Sequence, residues 1–110
     1  MGAASREDDA VRVVIPVRFG LEAEAEALDT FNWYEHRRPG LGVAFRSCLD
    51  AAILRVAANP HAFQVQHRDL RRVLVDRFPY AVYYRAYADV VLVVAVVHGR
   101  RHPRVWQRRA

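Results

Sequence analysis

The chain predicts an α+β fold. A helical hairpin packs on one face of a curved, mainly antiparallel sheet, in the element order β-α-α-β-β-β. Three observations carry this. Leu41, Phe45, Cys48, Leu49, Ala52, Ile53 and Val56 recur at i, i+4, i+7, i+8, i+11, i+12 and i+15, the period of one buried helix face. The turn Pro39-Gly40-Leu41-Gly42 separates that helix from an earlier amphipathic one, and so short a link forces an antiparallel pair. From Leu70 onward, β-branched and aromatic runs alternate with short turns, which is the pattern of a meander.

Residues 1–10 (MGAASREDDA) are polar and predict a flexible tail, leaving 11–109 as a single domain. Val11 to Val17 reads as the first strand. Pro16 lacks a ladder donor, so that strand lies at an edge or ends near the proline. Leu21 to Arg38 reads as the first helix, with Ala23, Ala27, Leu28, Phe31 and Tyr34 facing the core. Glu22, Glu26 and Asp29 face solvent, and Trp33 falls among the polar positions, either under a loop or open to a partner. Asn59-Pro60 stops the second helix. His61 to Asp69 reads as a polar loop. Strands follow at Leu70 to Val75, Phe78 to Tyr87 and Val90 to His98. Pro103 to Arg109 forms a basic tail with one turn of helix.

Composition narrows the function classes. Hydrophobic residues make up 53% of the chain, too many for a disordered protein. The longest apolar run, Val90 to Val97, is too short to span a bilayer, and no segment resembles a signal peptide, so a cytoplasmic protein is expected. Cys48 stands alone on the apolar helix stripe, which reads as core filler and excludes a cysteine zinc site. His98 and His102 have no acid or third imidazole in sequence range, so neither a metal nor another cofactor is expected.

Charge is distributed unevenly. Residues 1–60 hold seven Arg and nine acids, net −2, whereas residues 61–110 hold ten Arg and three Asp, net +7. There is no Lys. A cationic half suits nucleic acid or an acidic protein segment. On the central strand Ala81, Tyr83, Arg85 and Tyr87 share one face, and burying an unpaired guanidinium is costly. That set is therefore assigned to a sheet face with no helix left to cover it. Val90 to Val97 is apolar on both faces, which suggests a cover supplied by a partner. The charge argument assigns target binding to Arg71, Arg72, Arg77, Arg85, His98, Arg100, Arg101, Arg104 and Trp106. The alternative is that these arginines are solvated edge charges that discourage sheet-to-sheet aggregation.

The pattern Trp33-Tyr34-Glu35, Arg38 to Gly42, Phe45, Asn59-Pro60, Arg71-Arg72, Arg77 to Tyr84, the AVVHGRRHP segment and Trp106 resembles the RelE/ParE superfamily of type II toxin–antitoxin toxins. Within it, the ParE-like branch fits best. The likeness spans residues 11–109 and implies the fold already read from the residues. It also implies a small bacterial toxin held by a cognate acidic antitoxin, which alone would contact operator DNA. Trp33, Val91 and Val93 are the candidate antitoxin contacts. ParE-type toxins poison DNA gyrase, whereas RelE-type toxins cleave mRNA on the ribosome. The chain lacks the lysine and the His-Tyr or Tyr ending of the cleaving relatives. Three readings stay open: a gyrase inhibitor without bond-making chemistry; a metal-independent endoribonuclease using Arg71, Arg77, His98 and Arg100; and an inactive relic that binds only antitoxin.

Overall fold

A computed structural model describes residues 15–110. The elements run β1 (Val17–Phe19), α1 (Leu21–Arg37), α2 (Leu41–Ala58), β2 (Val65–His67), β3 (Leu70–Leu74), β4 (Tyr80–Ala86), β5 (Val91–His98) and α3 (Arg104–Gln107). The five strands form one open sheet in the order β1-β5-β4-β3-β2. β1 is parallel to β5, and every other pairing is antiparallel.

The tail 1–10 and most of the expected first strand lie outside the described residues. The strand that is described starts after Pro16, whose carbonyl accepts from Val91 N–H at 2.9 Å. An added edge strand, β2, occupies part of the expected loop at 61–69. It carries Gln and His rather than alternating apolar residues because only one of its sides is paired.

The main core lies between the helices and the sheet. Phe45, Leu49, Ala52 and Val56 of α2 pack on Val73, Val82, Tyr84, Val91, Val93 and Val96. Cys48 is half-buried against this core, as expected of filler. On α1 the buried residues are Ala23, Ala27 and Thr30. Leu28 is 58% exposed, not in the core, because it sits one position, or 100° of helix rotation, past the Ala23/Ala27 stripe.

A bulge changes the parity of β5. Tyr83 pairs with Ala95 and Tyr84 with Val93, so Val94 has no partner. Val91, Val93 and Val96 therefore face the helices, while Val94, Ala95 and Val97 belong to a second core on the opposite face. That opposite face is not open. α3 folds back over it, and Trp106 stacks on Tyr83 with ring centroids 3.9 Å apart and planes 13° apart. The cover that β5 demanded comes from the chain itself.

β1 pairs with β5 only as far as Val93, so the edge of β5 beyond it would be bare. An ion pair closes it. Arg109 grips Glu26 through both terminal guanidinium nitrogens at 2.9 and 3.0 Å, and its Nη1 also donates to the Val94 carbonyl at 3.0 Å. Glu26 accepts from Val96 N–H at 3.0 Å. Glu26 thus leaves the solvent face expected of it, because the bared strand edge needs an acceptor and Arg109 needs a counter-charge.

Candidate functional site: a cationic rim on an aromatic platform

The tip of the helical hairpin is locked by its own backbone. Glu35 accepts from Gly40 N–H at 2.8 Å and from Gly42 N–H at 2.9 Å, which caps the start of α2. The Gly40 N–H, then those of Gly42 and Val43, hold the Glu35 carboxyl below its usual range against a smaller opposing desolvation. Gly40 is left-handed at φ +91°. Any Cβ on Gly42 would fall 2.5 Å from the Phe31 carbonyl. The WYE and PGLG motifs are therefore one device that closes the hairpin.

Beside that tip, Tyr34, Phe45, Phe78 and Tyr80 form an aromatic cluster. Phe78 lies 4.9 Å from Tyr34 and 5.4 Å from Phe45, and Phe45 lies 5.4 Å from Tyr80. Burial, with a smaller contribution from Tyr80, raises the pKa of the Tyr34 hydroxyl. Phe78 belongs to the β3–β4 turn, so the cluster fixes that turn on the hairpin. Tyr80 meets the His98 ring at 5.4 Å, and Gly99 N–H donates to the Pro79 carbonyl at 2.8 Å. The exit of β5 is thereby joined to the same turn.

Arginines rim this end of the sheet. Arg77 sits at the turn with φ +70°, a left-handed conformation unfavourable for a residue with a side chain. After β5, His98 Nδ1 accepts from Arg100 N–H at 3.0 Å, and His102 Nδ1 accepts from Arg104 N–H at 3.1 Å. Both imidazoles thus shape the loop backbone. Arg77, Arg100, Arg101 and Arg104 are exposed. Among the described residues, none of the four has a carboxylate within 4.0 Å.

Other candidate residues lie elsewhere. Arg71 faces the helix side opposite Tyr84, and it donates to the Phe63 carbonyl at 2.7 Å and the His61 carbonyl at 3.3 Å. It stands three strand residues before Leu74, roughly 10 Å from the rim. The set Arg71, Arg77, His98 and Arg100 therefore does not converge. Arg72 lies mid-strand opposite Tyr83. Arg85 points from the other end of the sheet and pairs with Asp69 at 2.8 Å. The Tyr87 hydroxyl, then Asp69, raise its pKa. Trp106 is 6% exposed and serves as core, which removes it from the target contacts. Val91 and Val93 are fully buried under the helices and offer nothing to an antitoxin. Trp33 is 51% exposed on the outer side of α1, and the Arg37 guanidinium carbon sits 4.2 Å from its ring centroid.

Two motif residues prove structural. The buried Tyr84 hydroxyl donates to the Pro60 carbonyl at 2.6 Å, linking Asn59-Pro60 to the VYY segment. Burial, opposed by Arg71, pushes its pKa up to about 12. Among the described residues there is no group of three or more His, Cys, Asp or Glu able to hold a metal ion. None of their helices is long and apolar enough to cross a membrane.

The fold, a helical hairpin on a five-stranded mixed sheet, is one already seen in a solved structure. It is similar to a solved chain described as "Chromosomal ParDE TA system from P. aeruginosa", with TM-score 0.67 and 12% identity, covering 77% of this chain and 96% of that one. No curated protein matches the chain. The profile of the family described as "ParE toxin of type II toxin-antitoxin system, parDE" matches residues 17–103, and the chain belongs to that family.

Proposed function

We propose that the protein blocks growth by binding and inhibiting DNA gyrase through the Arg77/Arg100/Arg101/Arg104 rim, and that a cognate acidic antitoxin neutralises it in the cytoplasm. The observation that carries this reading is the rim itself. Its guanidinium groups are exposed, supported by a rigid aromatic platform and unmatched by carboxylates among the described residues. Such a surface gains most from an acidic protein face or a protein–DNA complex. Inhibition by binding needs no convergent acid and base. RNA cleavage does, and Arg71 is drawn off to the 61–63 carbonyls. The exposed Trp33–Arg37 pair on α1 remains the candidate antitoxin contact.

Purified protein should inhibit supercoiling by gyrase, and its induction in cells should raise the SOS response and filamentation. Growth arrest with ribosomal A-site mRNA cleavage and untouched supercoiling would reject this reading.

A further inference from the structure

Between the β3–β4 turn and the β5 exit lies a cleft of about 230 Å³. It is lined mainly by Leu74, Val75, Phe78, Tyr80 and His98, and Gly99 and Arg100 line it too. Leu74 is 58% exposed there, an aliphatic side chain left in water beside cationic groups. We infer that this cleft is a socket for one aliphatic or aromatic side chain, presented by an acidic segment of the protein target. The inference rests on the rim being the target surface and deepens that reading.

Size and chemistry favour this occupant. The cleft is smaller than the ~300 Å³ at which small-molecule sites begin, so it suits a single side chain rather than a metabolite. Its lining is mostly apolar, with His98 and Arg100 as the exceptions, so an apolar side chain gains more from it than a phosphate does. Its rings are engaged edge-on with their neighbours, at 68° for Tyr80 on the buried Phe45 and 71° for Tyr80 on His98, rather than offered as a flat platform for a base. The surrounding charge is mainly positive: Arg77, Arg100 and Arg101 have no carboxylate partner among the described residues, and Asp76 on the same turn pairs with Arg55 at 4.0 Å. An apolar pocket ringed by charge is the usual anatomy of an anchor site at a protein interface.

Gly99 supplies the test. A Cβ there would meet the Pro79 carbonyl at 3.6 Å, an ordinary contact, so Gly99→Leu can fill the mouth while leaving every arginine in place. Leu74→Ser is a second variant that strips the apolar lip. The probes are a short Asp/Glu-rich peptide carrying one Phe, the same peptide with Ala, and a single-stranded oligothymidylate. Each is titrated against the full chain by fluorescence anisotropy. The Phe peptide should bind the native protein about 10- to 100-fold more tightly than the Ala peptide. Gly99→Leu should erase that ratio while the salt-sensitive binding of the Ala peptide persists, and Leu74→Ser should reduce it. Equal affinity of the two peptides, a ratio that survives Gly99→Leu, or tighter binding of the oligothymidylate would each overturn the socket. Supercoiling assays separate the two claims. If the native protein leaves gyrase untouched but discriminates the peptides, the socket stands and the gyrase reading falls. Inhibition of gyrase without peptide discrimination has the reverse meaning.

Discussion

Glu35 shows how a single side chain accounts for a motif. Its carboxylate satisfies two backbone donors at the start of α2 that would otherwise have only water. Those N–H groups lower its pKa below the ordinary 4.5 in the folded chain. The ionised form is therefore preferred by the fold, and its contribution is complete above pH 4.5. It disappears as the pH falls below that value through the lowered folded pKa. Melting temperatures of the native protein should drop along that acid limb, and Glu35→Gln should show a shallower drop. Parallel acid limbs in the two proteins would show that the cap does not couple to protonation. Trp106 teaches the same lesson in reverse. As sequence, a tryptophan beside arginines reads as a contact surface. In the fold it covers the second sheet face.

At the scale of elements, α3 is a cover held by the Trp106–Tyr83 stack and by the Arg109–Glu26 ion pair, with Glu22 3.6 Å from the same guanidinium. Arg109 and Glu26 are only 17% and 19% exposed, so their hydrogen bonds are poorly screened. The Glu26 hydrogen bond, then the charges of Glu26 and Glu22, raise the Arg109 pKa. Arg109→Ala should cost about 1.5–3 kcal/mol, read by denaturant unfolding. It should also speed hydrogen exchange at the Val96 amide, which Glu26 would then hold alone. Unchanged exchange at Val96 would mean that the pair does not guard the strand edge. The helical hairpin was legible because its apolar period and its Pro-Gly turn act over a few residues. β2, the bulge at Val94 and the α3 cover were not. Each depends on what lies across a sheet, and Glu26 and Arg109 are 83 residues apart in sequence. Leu28 was misplaced for a smaller reason: a stripe of small alanines defines a helix face less sharply than one of bulky residues.

For the whole molecule, the WYE, PGLG and RFPY motifs converge on one end. Tyr34, Glu35, Gly40, Gly42 and Phe45 close the hairpin, and Phe78 and Tyr80 seat the turn on it. Arg77, Arg100 and Arg101 then stand out from a fixed base. The rim was partly legible, because arginines flanking two turns of adjacent strands must end up together. Arg71 and Arg85 were grouped with it wrongly, since position along a strand separates them from that end. The central claim is that this rim, not the fold alone, engages the target. Two variants test it with little structural disturbance. Arg77→Gly removes a charge while relieving left-handed strain of about 1 kcal/mol, so stability should hold or rise. Arg100→Ala with Arg101→Ala removes two exposed charges outside any ion pair among the described residues, and its stability should change little. The decisive measurement is the concentration of each protein that half-inhibits gyrase supercoiling, taken beside its melting temperature. The account predicts roughly tenfold weaker inhibition for both variants at undiminished melting temperature. Native-strength inhibition by both would contradict it.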